Sequence, residues 1–99
     1  MATTYDQYAA PITASTVISK QPGSILRGIL INSVAATATI QLYDGGSVAT
    51  PLNPITGLWT PGALVVPTFI PFGITLNNGL VIIIAVAAAN LTAIGRFSQ

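Results

Sequence analysis

The chain has 99 residues and a mass of 10.1 kDa, which is the length of a single domain. Apolar residues make up 52% of it and charged residues only 5%, whereas an ordinary soluble domain carries roughly 25% charged residues. His, Cys and Glu are absent, which excludes disulfides, zinc sites built on Cys or His, and His-based acid–base catalysis. We therefore predict that the chain is not an enzyme and uses no cofactor or metal. A net charge of +1 also predicts no nucleic-acid partner.

The most apolar run, residues 80–89, is too short for a membrane-spanning helix, which needs about 20 apolar residues. Its consecutive Val and Ile residues favour a β-strand instead. The N-terminus has neither the basic region nor the apolar region of a signal peptide. We therefore expect synthesis in the cytoplasm and no membrane partner.

Residues 1–11 are predicted to form an N-terminal arm that precedes a single domain of residues 12–99. The arm is small and polar, contains Tyr5 and Tyr8, and ends at Pro11. A frayed terminus is the alternative. Because aromatic rings are strong anchors in protein interfaces, we interpret Tyr5, Tyr8 and Pro11 as a binding arm that docks on a neighbouring protein.

Residues 12–20 have the composition of a first strand, and the Gln21-Pro22-Gly23 sequence after them predicts a turn. Residues 24–32 and 37–44 then predict a β-hairpin, because the second segment alternates apolar and polar residues.

The register of this hairpin would gather the apolar side chains on one face, with Ile29 opposite Ile40. The same register would place Arg27 diagonally across from Asp44. We therefore expect a structural ion pair between Arg27 and Asp44, which at a surface is worth about 0–1 kcal/mol.

Residues 47–62 contain four turn signals and predict a long connection without regular structure. Leu52, Ile55, Leu58 and Trp59 lie within it and must pack somewhere. They form either a flap over one open end of the core or a contact surface, since Trp is enriched at interface hot spots.

Residues 63–76 predict an edge strand, because Pro67 and Pro71 cannot donate hydrogen bonds to a sheet. Phe69 and Phe72 would point to different faces of this strand. The Asn78-Gly79 sequence that follows predicts a type I′ hairpin.

A strand over residues 80–87 and a last, alternating strand over residues 91–97 complete the pattern. Six or seven short strands with frequent turns and no long helix are typical of an all-β fold. We predict an antiparallel β-sandwich of jelly-roll-like form, with a small β-barrel as the main alternative.

The strand over residues 80–87 is apolar on both faces, although a strand of a monomeric sandwich has one wet face. A second copy of the chain would cover the extra face, so we expect a homo-oligomer, a dimer or trimer. The candidate interface residues are Val81, Ile83, Trp59, Phe69 and Phe72.

Residues 24–33 (SILRGILINS) and 39–44 (TIQLYD) resemble a pair of segments in small β-sandwich virion proteins of tailed bacteriophages. Members of that group are often head decoration (cement) proteins. The resemblance implies a structural protein made in the host cytoplasm, located on the capsid surface of the virion and bound to the major capsid protein.

Two other functions remain open. The chain could be a fibre or tail-associated module that binds a host-surface receptor or glycan, with Trp59 and Tyr43 as the candidate binding residues. It could also be a small membrane-active phage protein.

Overall fold

A computed structural model describes residues 7–19, 22–61 and 67–97, which form seven β-strands and no helix. The strands are β1 (Gln7–Ile12), β2 (Thr16–Ser19), β3 (Ser24–Val34), β4 (Thr39–Tyr43), β5 (Thr68–Leu76), β6 (Leu80–Ala85) and β7 (Ala89–Arg96). Every pairing between them is antiparallel.

The strands form two sheets that the chain visits alternately. The odd-numbered strands form a four-stranded sheet in the order β1-β7-β3-β5, and the even-numbered strands form a three-stranded sheet in the order β2-β6-β4. Insertion of β7 between β1 and β3, and of β6 between β2 and β4, is the strand order of a jelly roll. The predicted antiparallel, jelly-roll-like sandwich is therefore confirmed.

Both hairpins predicted from the sequence are wrong, because each joins strands of opposite sheets. β3 pairs with β5 and β7, whereas β4 pairs with β6. Ile29 and Ile40 both lie in the core, but they belong to opposite sheets instead of being paired neighbours in one sheet. Two apolar faces are buried just as well across a sandwich as side by side, so the hydrophobic pattern alone does not choose between the two arrangements.

The ion pair predicted between Arg27 and Asp44 depended on the register of the first hairpin, which does not form. Arg27 is exposed on β3 of the four-stranded sheet, whereas Asp44 follows β4 of the three-stranded sheet. The Asp44 carboxylate instead accepts hydrogen bonds from the backbone N–H groups of Asn77 and Asn78, which are described below.

The core lies between the two sheets and takes side chains from nearly every strand. Its largest fully buried members are Leu26, Ile29, Ile31, Ile40, Leu42, Leu76, Leu80, Ile82 and Leu91. β7 contributes alternate residues, with Leu91, Ala93, Gly95 and Phe97 buried and the residues between them half-buried. The alternation predicted for the last strand is therefore confirmed.

An irregularity in β3 keeps its two halves facing the core. Leu26 and Ile29 are three residues apart, which would put them on opposite faces of a regular strand. The pairing register shifts between Leu26 and Gly28 against both neighbouring strands, so both side chains point inward. Gly28 is required here, because a methyl group at this position would lie 2.7 Å from the carbonyl oxygen of Ile70.

The predicted boundary between an arm and a domain at residues 11 and 12 falls inside β1. Gln7–Ile12 pairs with β7 and forms one edge of the four-stranded sheet, so this part of the segment belongs to the sandwich. Residues 1–6 lie outside the described residues. The strand predicted over residues 12–20 is also divided, because the chain crosses to the other sheet between Ile12 and Thr16.

Ser15 holds this crossing in place. Its hydroxyl accepts a hydrogen bond from the Ile84 N–H at 2.9 Å and donates one to the Ile84 carbonyl oxygen at 3.1 Å. The side chain thus satisfies two backbone groups of β6 where β2 has not yet begun.

β5 is an edge strand, as its prolines predicted, and it pairs only with β3. It alternates regularly, with Ile70, Phe72 and Ile74 packed against the core and Phe69 and Pro71 facing outward. The different faces predicted for Phe69 and Phe72 are confirmed.

We predict that Gly95→Ala lowers the free energy of unfolding by about 1–3 kcal/mol, because the new methyl group would collide with the carbonyl oxygen of Ile25. Gly57→Ala is the matched control. A methyl group there meets nothing within 4 Å, so we expect no loss, or a gain of up to about 1 kcal/mol. Urea denaturation measures both variants, and an equal loss in the two would contradict the role assigned to Gly95.

Candidate functional site

Part of the connection between β4 and β5 runs alongside β4 and forms isolated backbone bridges with it, although it is not one of the seven regular strands. Ile40 and Trp59 exchange two backbone hydrogen bonds of 2.7 and 3.1 Å, and the Asp44 N–H donates to the Asn53 carbonyl oxygen at 2.9 Å. The turn signals of the sequence correctly predicted that residues 47–61 form no regular element. The segment nevertheless extends the three-stranded sheet beyond β4 and brings Trp59 to its edge.

An open groove lies between this segment and β5, which is the edge strand of the opposite sheet. Its volume is about 320 Å³. Its lining residues are Thr56, Gly57, Leu58, Trp59, Ile70 and Phe72. Trp59 and Phe72 are half-buried against the core, whereas Leu58 is 72% exposed at the rim. The groove therefore has an aromatic floor and an exposed apolar side chain at its rim, and none of the described residues that line it is charged.

The structure brings only two of the five predicted interface residues together. Trp59 and Phe72 share the groove. Phe69 is 47% exposed, but it lies on the outer face of the four-stranded sheet, with its ring over Gly28. Ile83 is half-buried on β6, opposite Gln41 of β4.

Val81 is not an interface residue, because it is completely buried within one chain. It lies on the central strand of its sheet, between Val17 of β2 and Tyr43 of β4 in the register. A strand that is apolar on both faces is therefore covered in part by its own chain, and the sequence argument for a second copy does not hold at this position.

The three residues of the predicted binding arm have different outcomes. Pro11 is exposed near the end of β1. Tyr8 lies in β1 at the register position opposite Ile94. Tyr5 lies outside the described residues.

Asp44 joins the end of β4 to the turn between β5 and β6. Its two carboxylate oxygens accept hydrogen bonds from the N–H groups of Asn77 at 3.0 Å and Asn78 at 2.7 Å. Its carbonyl oxygen accepts a bond from the side chain of Asn53 at 3.1 Å. The residue therefore has a structural role that the sequence did not indicate, since the partners of its carboxylate lie more than 30 positions away.

The turn between β6 and β7 exposes Val86 on an unfavourable backbone conformation. The φ angle of Val86 is 75°, and the Ala87 N–H donates to the Ala85 carbonyl oxygen at 2.9 Å, which defines the rare γ-turn of positive φ. A residue held in such a region costs about 1–3 kcal/mol. At 79% exposure, Val86 is also the most exposed large apolar side chain among the described residues.

Sequence reasoning missed Val86, because it placed the residue inside a strand over residues 80–87. The turn contains neither Gly nor Asn, the residues that normally mark a positive φ. No signal in the local sequence could have identified it.

The charged residues that the structure describes lie away from this turn. Ile25 pairs with Arg96, and Arg27 is two residues further along β3, so both Arg residues lie in the half of the sheet farthest from the β6–β7 turn. One end of β4, at Thr39, pairs with Ala85 beside the turn, and Asp44 follows the other end, at Tyr43. Within the described ranges, no group of three or more potential metal-ligating residues occurs.

No protein-family model, curated protein or solved structure matches this chain. Among the residues described, no helix is long and apolar enough to cross a membrane.

We predict that Asp44→Asn lowers the free energy of unfolding by about 0.5–1.5 kcal/mol, because an amide is uncharged and accepts through one oxygen only, so the exposed N–H group of Asn77 or Asn78 exchanges its carboxylate partner for water. Ser47→Ala, in the same connection, removes one exposed hydrogen bond to the Thr50 N–H and should stay within about 0.5 kcal/mol of wild type. Chemical denaturation distinguishes the two. Similar small effects in both variants would show that the Asp44 bonds contribute little.

Proposed function

We propose that this chain is a non-catalytic structural protein that assembles with copies of itself and decorates the outside of a bacteriophage head. The observation that carries the proposal is the open apolar groove at Trp59 and Phe72, with Leu58 exposed at its rim. Concave, mostly apolar sites of this kind are candidate binding sites in folded proteins. The near absence of charge in the sequence further supports association with an uncharged protein surface.

The specific location on a phage head rests on the resemblance of residues 24–33 and 39–44 to phage virion proteins. The jelly-roll strand order is compatible with it, because capsid proteins are among the proteins that use this architecture. The groove supports a structural role more than a catalytic one, since the described part of its lining contains no titratable side chain.

In this function the sandwich acts as a rigid bridge between neighbouring capsid subunits. Many identical copies on one particle make individually weak contacts effective, because each bound copy holds its neighbours at high local concentration. The partners are the chain itself, as a dimer or trimer, and the major capsid protein, and the location is the capsid surface of the virion.

A receptor- or glycan-binding module is the less favoured function. Tyr43 does not line the groove that contains Trp59, so the two candidate residues do not form a common site there. Among the described lining residues, only Thr56 has a side-chain hydroxyl, and it already accepts a hydrogen bond from the Leu42 N–H at 3.2 Å. A glycan site needs more convergent polar groups than this.

We predict that an antibody against the recombinant chain labels the head surface of phage particles purified from cells that carry the gene for the chain. Immunogold electron microscopy gives the position, and mass spectrometry of the same particles gives the copy number. Label on tails or fibres would favour the receptor-binding function. Absence of the chain from purified particles would refute the virion proposal.

We also propose that Tyr5 and Tyr8 anchor the chain to the capsid. Deleting residues 2–11 would remove most of β1, so single substitutions are the cleaner test. Tyr5→Ala and Tyr8→Ala should each weaken binding to heads that lack the chain by at least about tenfold. Gln7→Ala, between them in the sequence, is the control. Unchanged affinity in both tyrosine variants, measured by co-sedimentation, would rule out the anchoring role.

A further inference from the structure

The Val86 turn and the groove are both apolar and open to solvent. Val86 is 79% exposed and does not line the groove of its own chain. A β-branched residue is poorly suited to a φ of 75°, whereas Gly adopts this angle readily. Strained residues of this kind cluster at active sites, ligand clamps and switch regions, so the strain at Val86 points to a functional role.

We propose that the Val86 side chain of one copy docks into the groove of a second copy, beside Leu58 and over Trp59 and Phe72. This inference rests on the homo-oligomer of the proposed function and names the contact that forms it. The reciprocal exchange of two turns closes a dimer, and a head-to-tail succession of the same contact closes a ring.

The distribution of charge agrees with this occupant. None of the groove-lining residues is charged, and neither are the residues of the turn, Ala85 to Ala88. The described charges, Arg27, Asp44 and Arg96, lie towards the other end of the sandwich. Docking therefore buries none of the described charges at its centre, and so avoids the large cost of desolvating an unpaired charge.

The area required sets the extent of the contact. A stable interface buries about 800 Å² on each partner, which is about a seventh of the 5282 Å² surface of this chain. The turn and groove must therefore be the centre of a wider contact. The turn is bordered by exposed Ala36, Thr37 and Ala88, small and uncharged residues that allow close approach.

The test uses two substitutions that each place a charge in the contact. Val86→Asp introduces a carboxylate into the turn, and Leu58→Lys introduces an ammonium group at the rim of the groove. Both native side chains are more than 70% exposed in the single chain, so the fold should tolerate the changes. Light scattering on a sizing column over a range of concentrations should show wild type as an oligomer. Each variant should associate at least about tenfold more weakly.

Mixing the two variants provides the decisive measurement. The carboxylate that Val86→Asp introduces in one copy would meet the ammonium group that Leu58→Lys introduces in the other, and the second contact of the pair remains wild type. We therefore expect the mixture to form 1:1 complexes that neither variant forms alone. Leu52→Asp, at a residue 53% exposed and outside the groove, is the matched control and should leave association unchanged.

The backbone strain supplies a second readout. Val86→Gly in the Leu58→Lys background should raise the urea midpoint of the monomer, because Gly relieves the strain, while Val86→Gly alone abolishes association. A merely structural Val86 would lower the midpoint instead and would overturn the inference. A wild-type oligomer that persists in Val86→Asp would overturn this contact and leave the proposed function intact. A wild-type chain that is monomeric at all concentrations would refute the homo-oligomer itself.

Discussion

The apolar layer between the two sheets constrains both the connections between the strands and the position of the groove. Because the odd- and even-numbered strands belong to opposite sheets, every connection between strands must cross the layer. The layer is filled mainly by Ile and Leu side chains. A few polar groups stabilise these connections. The Ser15 hydroxyl forms hydrogen bonds with both backbone groups of Ile84. The Asp44 carboxylate accepts hydrogen bonds from two N–H groups of the β5–β6 turn.

The same layer explains the position of the groove. The two sheets are unequal, and the irregular segment that ends at Trp59 substitutes for a fourth strand of the smaller one. This segment and β5 are edges of opposite sheets, so the layer opens to solvent between them. A groove with an aromatic floor is therefore a consequence of the architecture, and Leu58 is exposed at its rim.

The residues predicted to form an interface show how little composition says about exposure. Val81 and Trp59 are both large apolar residues, and the sequence predicted the same exposed position for both. The central position of β6 buries Val81 completely, whereas the edge position of its segment leaves Trp59 half-buried beside the groove. The opposite error occurs at Val86. The apolar run predicted that this residue lies within a strand, but it lies in a turn that exposes it.

From its sequence alone, the chain could be recognised as an all-β sandwich with an edge strand at Pro71 and an alternating last strand. These properties are local or compositional, since proline cannot donate to a sheet and a strand has a period of two. Only the tertiary structure decided that β3 and β4 lie in opposite sheets, that β1 belongs to the sandwich, and that Asp44 bonds Asn77 and Asn78. The physical reason is that a hydrophobic face does not specify its partner: it can be buried beside a sequence neighbour or across the core, and only the packing of the whole chain selects one arrangement.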